Sequence, residues 1–174
     1  MTKETILNVI EGEFAISRDP SCVMTTVLGS CISVCLHDAR SGIGGMNHFL
    51  LPKRSGAAGN NERFGAYSME LLINALLKEG ASKDRLVAKM FGGASMTQLK
   101  QGIGEKNIAF AHEFLTDEGI AVVAESCGGF EARKVRFYPK SGKAQQFLVP
   151  GDIEQIAPVT QITPPKPVND VTLF

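Results

Sequence analysis

The stretch from Thr25 to Cys31 holds the residues of this sequence with the clearest capacity for chemistry. Strand-forming residues lead into a Gly-Ser pair, and the cysteine follows directly. A strand that bends at Gly-Ser can expose the sulfur beside backbone N–H groups, which are donors able to stabilise an oxyanion. A thiol in such a place attacks a carbonyl carbon once a base has removed its proton. The stretch therefore favours Cys31 as a nucleophile.

A thiol nucleophile needs a base, and the chain offers three histidines: His37, His48 and His112. His112 falls inside a predicted helix, and His37 lies beside a predicted turn. His48 lies on the second arm of a predicted β-hairpin whose first arm follows Cys31, so the hairpin brings these two residues together. We take His48 as the base in this hypothesis.

Structural roles compete with this interpretation. A cysteine without a disulfide is among the most buried residue types and usually only packs, and this is the role we assign to Cys22, Cys35 and Cys127. A single histidine in a strand is more often a hydrogen-bonded structural residue than a base. By their own types, Thr25 and Thr26 indicate only a strand.

A zinc site is the other chemical option, because Cys31, Cys35 and His37 share one face of a predicted strand. At about 3.3 Å per residue, Cys31 and Cys35 would lie roughly 13 Å apart. Two thiolates that bind one zinc ion, each about 2.3 Å from the metal, must be much closer. The spacing disfavours a metal, and we expect neither a metal nor a cofactor.

Composition narrows the class of protein. The chain has 174 residues, of which 44% are hydrophobic, enough for one domain with its own core. Its 18 basic and 18 acidic residues cancel, so it lacks the excess positive charge expected of a nucleic-acid-binding protein. No apolar run approaches the roughly 20 residues that cross a bilayer, and no signal-like segment opens the chain. We expect a cytoplasmic protein with thiol cysteines and no membrane insertion.

The elements that must position Cys31 and His48 follow from periodicity. Richness in β-branched residues predicts a strand over 24–28, and alternation predicts one over 32–36. A turn over 38–42 and a return strand over 43–51 follow. Helical spacing predicts helices over 63–79 and 105–118, each stopped by a glycine. Further strands are predicted over four ranges: 86–91, 120–125, 135–138 and 146–149. Residues 53–61 have a loop composition.

This order of elements predicts an α+β domain with stacked β-sheets. The domain should span residues 1–150. Residues 151–174 contain four prolines and no sustained periodicity, which predicts an extended C-terminal tail.

Several segments together resemble the signature of the chemoreceptor glutamine deamidase family, CheD. The resemblance covers roughly residues 10–149, with one departure at Ala132, where the family commonly has glycine. It is carried by LGSC at 28–31, GMNHFLLP at 45–52, KMFGGA at 89–94, IGEKN at 103–107, and the Gly128-Gly129 and Arg133-Lys134 pairs.

The resemblance implies a β-sandwich with helices packed on the outside and a Cys-His-Thr site. Cys31 would be the nucleophile, His48 the base, and Thr25 the residue that orients the imidazole. The implied reaction converts glutamines in the cytoplasmic helices of methyl-accepting chemotaxis receptors to glutamate through a thioester. The phosphatase CheC is an implied partner.

Two other functions stay open from the sequence. The same nucleophile could hydrolyse receptor glutamyl methyl esters, since a thiolate attacks esters as well as amides. Alternatively, the chain could act without catalysis, by binding and regulating a chemotaxis phosphatase or a receptor.

Overall fold

The computed structural model of the chain describes residues 3–52, 60–96, 102–150 and 171–174. Within these ranges it contains ten strands, two α-helices and a short 3-10 helix at Lys83–Arg85. The helices are α1 (Asn60–Lys78) and α2 (Ile103–Asp117). The strands are β1 (Thr5–Asn8), β2 (Phe14–Ser17), β3 (Cys22–Leu28), β4 (Ile32–Asp38), β5 (Ile43–Asn47), β6 (Val87–Gly92), β7 (Ala121–Cys127), β8 (Ala132–Tyr138), β9 (Lys143–Val149) and β10 (Val171–Leu173).

The strands form two five-stranded mixed sheets. Sheet I has the order β1-β3-β8-β9-β10, and sheet II has the order β2-β5-β4-β6-β7. The β1–β3 and β6–β7 pairs are parallel, and the others are antiparallel. Strands β3 and β4 are consecutive but lie in different sheets, so the chain crosses from one sheet to the other at residues 29–31.

Apolar side chains from both sheets interdigitate between them. Sheet I contributes Met24, Leu28 and Phe137, and sheet II contributes Met46 and Phe91, all fully buried in one cluster. Burial of apolar surface is the main favourable contribution to folding, at about 25 cal/mol per Å². The two sheets are therefore stacked over a shared core.

The opposite face of sheet II is covered by the two helices. Leu72 and Leu76 of α1, with Ala111 and Leu115 of α2, pack in a second buried cluster with residues of β4 and β6. The layers are thus sheet I, sheet II and helices, and the predicted α+β sandwich with outer helices is confirmed. No helix among the described residues is both long and apolar enough to span a membrane.

Most predicted elements are present, and the differences have physical reasons. The return strand was predicted to run to residue 51 but ends at Asn47, and the backbone of the next residue, His48, hydrogen bonds to Gly12 and Glu13 in the connection between β1 and β2. Phe49 still makes an isolated bridge to Ile32. Strands β1 and β2 were not predicted. Most of the predicted loop, residues 53–59, lies outside the described residues.

The end of the chain is part of sheet I. Strand β10 pairs antiparallel with β9, and the Phe174 ring packs edge-on against Phe91, with ring centroids 5.3 Å apart. Residues 171–174 of the predicted tail are therefore extended and docked. Residues 151–170 lie outside the described residues.

A buried carboxylate fixes the far end of the β4–β5 hairpin. The Asp38 side chain is fully buried and accepts two hydrogen bonds from Arg85, at 3.1 and 2.8 Å, and one from the Ser82 N–H at 3.0 Å. The guanidinium of Arg85 holds the pKa of Asp38 well below its usual range. The pair ties the hairpin to the segment that leads into β6.

We expect Asp38→Asn to lower the free energy of unfolding by roughly 1.5–3 kcal/mol, since it removes charge-assisted hydrogen bonds from a buried acceptor. Urea denaturation measures the change. Asp84→Asn, at an exposed position of the same 3-10 helix, is the matched control. Equal stabilities of the two variants would contradict this role of Asp38.

Candidate active site

The connection that carries Cys31 is held by its carbonyl groups. The carbonyl of Gly29 accepts from the Ala94 N–H, that of Ser30 from the Asn107 side-chain amide, and that of Cys31 from the Gly93 N–H, each at 2.8 Å. In a trans peptide the following N–H points opposite to the carbonyl. The N–H groups of residues 30 and 31 are therefore directed away from Ala94 and Asn107, respectively.

Asn107 of α2 joins the two segments of the site. Its side chain is fully buried. The amide nitrogen donates to the Ser30 carbonyl, and Oδ1 accepts from the Leu51 N–H at 3.0 Å. One side chain thereby sets the distance between the connection before β4 and the segment after β5.

Gly92 permits the close approach of β6 to the cysteine. Its φ is +114°, and a Cβ at this position would lie 2.0 Å from the Cys31 carbonyl oxygen. Both the backbone conformation and the space require glycine. The Gly92-Gly93 pair therefore makes the turn that anchors Cys31.

The backbone of His48 is held by the turn between β1 and β2. The His48 N–H donates to the Glu13 carbonyl at 3.1 Å, and the His48 carbonyl accepts from the Gly12 N–H at 2.8 Å. The side chain is only 7% exposed. The imidazole is therefore confined to the space between the two sheets.

The surroundings of the imidazole assign its tautomer. Nδ1 lies 2.8 Å from Thr26 Oγ1 and 3.3 Å from the Val9 carbonyl oxygen, and the Thr26 hydroxyl donates to the same carbonyl at 2.7 Å. A carbonyl oxygen can only accept, and the Thr26 proton is already engaged. Nδ1 therefore carries the ring proton, and Nε2 carries the lone pair.

The imidazole of His48 lies next to a thiol and a carboxylate. A ring nitrogen of His48, Cys31 Sγ and a Glu11 carboxylate oxygen all lie within 4.8 Å of one another, and the Cys31 thiol donates to Glu11 Oε2 at 3.6 Å. His48 Nε2 is buried and makes no hydrogen bond to a described residue. This arrangement allows proton transfer from sulfur to nitrogen after a small approach.

Burial lowers the pKa of His48 below its ordinary value of 6.5, and the Val9 carbonyl and the Glu11 charge partly oppose this effect. Removal from water disfavours the charged imidazolium. At neutral pH the ring is accordingly uncharged, which is the state that can accept a proton.

The threonine beside the imidazole is Thr26, not the predicted Thr25. The Thr25 hydroxyl donates to Asn8 Oδ1 at 2.6 Å. Successive residues of a strand point to opposite faces, so Thr26 shares the inward face with Met24 and Leu28. The apolar neighbours two positions away on each side were a signal in the sequence for Thr26.

The other cysteines and histidines lie apart from this arrangement. Cys35 packs between the sheets, and burial raises the pKa of its thiol to about 12. The pKa of Cys127 is also raised to about 12, mainly by burial and to a smaller extent by the charge of Glu125. His112 is paired with Glu125 at 2.6 Å, and His37 lies 3.3 Å from the Lys140 carbonyl. None of the four cysteines forms a disulfide.

Comparison with known proteins gives the family. The family model described as CheD chemotactic sensory transduction matches residues 50–146, more than half of the chain. A Caulobacter sp. (strain K31) protein named "Probable chemoreceptor glutamine deamidase CheD" is 50% identical over 97% of this chain and 92% of its own length. The chain belongs to the CheD family. An Agrobacterium fabrum CheD protein with the same name is 49% identical over 97% of this chain and 96% of its own length.

The family resemblance predicted from the sequence is thereby confirmed. The alignments with the CheD relatives extend over nearly the whole chain, whereas the match to the family model begins at residue 50. Among solved structures, a Bacillus licheniformis hypothetical protein, YfiH, superposes with a TM-score of 0.45 at 14% identity, over 71% of this chain and 60% of the other.

We expect a ring NMR titration to give a pKa for His48 below 6.5, and Glu11→Gln to lower it further. The substitution removes a negative charge that stabilises the imidazolium, so the ring loses its proton at a lower pH. Glu13→Gln, which changes an exposed carboxylate in the same turn, is the control. A midpoint that does not move in Glu11→Gln would argue against the proximity of these groups.

Proposed function

We propose that this chain is a protein-glutamine deamidase that acts on methyl-accepting chemotaxis receptors. The observation that carries the proposal is the proximity of the His48 imidazole to the Cys31 sulfur, in a chain whose relatives are named chemoreceptor glutamine deamidases. The substrate glutamines would lie on the cytoplasmic helical domain of the receptors, and the enzyme would act in the cytoplasm.

The reaction begins with proton transfer from Cys31 Sγ to His48 Nε2. The thiolate attacks the side-chain carboxamide carbon and forms a tetrahedral intermediate. The imidazolium then gives its proton to the amide nitrogen, and the C–N bond breaks to release ammonia and leave a thioester. His48 next takes a proton from water, which attacks the thioester, and the sulfur leaves as glutamate forms.

The oxyanion of each tetrahedral intermediate needs hydrogen-bond donors. The N–H groups of Ser30 and Cys31 are suitable because the anchored carbonyls of residues 29 and 30 fix their direction. A fixed donor of this kind is worth about 3 kcal/mol of transition-state stabilisation in other enzymes. Since the anchors exist before substrate binds, the donors need no reorganisation.

In this mechanism Thr26 is the positioning residue for the base. Its oxygen accepts the Nδ1 proton, so that Nε2 remains unprotonated and directed at the sulfur. Thr25, to which the family resemblance gave this role, hydrogen bonds to Asn8 and so supports the pairing of β1 with β3.

The glutamate product would change how the receptor is regulated. Deamidation replaces a neutral receptor side chain by a carboxylate that can be methylated, and so contributes to chemotaxis adaptation. From the family resemblance we also propose that the phosphatase CheC binds this chain and restrains it.

We expect wild-type protein to convert specific glutamines of receptor cytoplasmic fragments to glutamate, as measured by peptide mapping with mass spectrometry. Cys31→Ala and His48→Ala should each reduce the rate by about 10³-fold or more, since they remove the nucleophile and its base. Cys127→Ala changes a half-buried thiol elsewhere and should retain activity.

Assays of ammonia and methanol release from the same receptor fragments separate the rival functions. Methanol release from methylated receptor without ammonia release from unmodified receptor would indicate the methylesterase. Absence of both products with every co-encoded receptor would overturn the proposal and favour a regulator that acts by binding alone.

We expect Thr26→Val to lower kcat about tenfold and Thr25→Val to leave it near the wild-type value. Valine keeps the strand shape, and loss of one hydrogen bond of about 1.4 kcal/mol corresponds to tenfold in rate. Because Thr26→Val leaves Nδ1 with the Val9 carbonyl as its remaining partner, the pH profile of kcat should shift. A larger loss in Thr25→Val than in Thr26→Val would exclude this division of roles.

A further inference from the structure

The three polar side chains of the site form a compact set of metal-ligand types. A thiol, an imidazole nitrogen and a carboxylate oxygen, from Cys31, His48 and Glu11, lie within 4.8 Å of one another. Within the described part of the chain, this is the single group of three or more such residues at that separation. The three come from separate segments, so the fold assembles the group.

The separation of the sulfur and the carboxylate oxygen fits one small cation. Zinc binds thiolate sulfur at about 2.3 Å and carboxylate oxygen at about 2.1 Å, so a tetrahedral angle places these atoms about 3.6 Å apart. Cys31 Sγ donates a hydrogen bond to Glu11 Oε2 at this same separation, 3.6 Å. A cation that replaced the thiol proton would find these two ligand atoms already at the required spacing.

The imidazole is already arranged as a metal ligand. His48 is 7% exposed, and its buried Nε2 has no hydrogen-bond partner among the described residues. Its other nitrogen donates to Thr26 Oγ1 and the Val9 carbonyl, the outer hydrogen bonds that orient metal-bound histidines. A buried nitrogen acceptor without a hydrogen-bond partner, next to a thiol and a carboxylate, is a second indication of a cation site.

We propose that Glu11, Cys31 and His48 form a binding site for a thiophilic divalent cation, with Zn²⁺ as the favoured ion. Thiolate and imidazole select Zn²⁺ over Mg²⁺ and Ca²⁺, which prefer oxygen ligands. Thiolate and carboxylate together supply two negative charges that balance the ion. Three protein ligands leave a fourth position open to water.

A bound ion would occupy the sulfur and the nitrogen that the proposed deamidation uses. Zinc would therefore inhibit the enzyme reversibly. It would hold the Cys31 sulfur so that it cannot attack the substrate, and it would occupy the imidazole nitrogen that otherwise accepts the proton. This consequence rests on the proposed function, but the binding site itself does not.

The test is zinc binding to the full-length, untagged and reduced chain, measured by competition with a chromogenic chelator. We expect one Zn²⁺ per chain, and a loss of affinity of more than about 100-fold in Cys31→Ser and in His48→Gln, because each removes a direct ligand. Glu11→Gln should weaken binding by at least about tenfold. Co²⁺ should give a thiolate-to-metal absorption band that Cys31→Ser abolishes.

Two control variants separate this site from adventitious binding. His112→Gln removes one partner of the exposed His112–Glu125 pair, and Cys127→Ser removes another thiol. Both should bind zinc like the wild type. Circular dichroism of every variant checks that the fold is intact.

Unchanged affinity in Cys31→Ser and His48→Gln, or a loss confined to His112→Gln, would overturn the proposal. Because the readout is metal binding and not activity, a chain that binds zinc through these residues but deamidates no receptor would contradict only the proposed function. Deamidation without 1:1 zinc binding would contradict only the metal site.

Discussion

The site depends on the hydrogen bonds that hold Nδ1 of His48. They connect three segments that belong to different parts of the fold: Thr26 in β3 of sheet I, Val9 after β1, and the residue that follows β5 of sheet II. The imidazole is thus fixed between the two sheets. Any change in sheet separation alters the direction of Nε2, and with it the distance to the sulfur.

This arrangement has a cost that the rest of the structure must offset. A buried polar atom without a hydrogen bond destabilises a protein by about 1–3 kcal/mol, and His48 Nε2 is such an atom. The apolar cluster between the sheets packs against one face of the β4–β5 hairpin, the Asp38–Arg85 pair holds its far end, and both stabilise it. The fold can therefore maintain an unsatisfied nitrogen where chemistry requires one.

Local patterns predicted much of this structure. Alternation in residues 32–36 predicted β4, and glycines 80 and 119 marked the ends of the helical segments. The predicted hairpin explains why Cys31 and His48 meet, since they flank β4 and β5 at the same end.

Non-local contacts account for what the sequence did not reveal. Strands β1 and β2 are only four residues long and gain stability by pairing with β3 and β5. Glu11 reaches the thiol because the connection between those two strands lies over the hairpin end, and no spacing in the sequence encodes that contact. The apolar residues Met24 and Leu28 indicate which face of β3 is inward, but that His48 meets Thr26 on this face depends on the contact between the two sheets.

The bonds of Asn107 also constrain when the site can exist. This residue contacts Ser30 across 77 positions of sequence and Leu51 across 56. Contacts between distant positions form only after the intervening chain has been ordered, and such topologies fold slowly. The connection that carries Cys31 therefore acquires its final shape only when α2 has docked on sheet II. A chain in which α2 has not docked lacks the side chain that links the connection before β4 to the segment after β5, so the site is assembled late in folding.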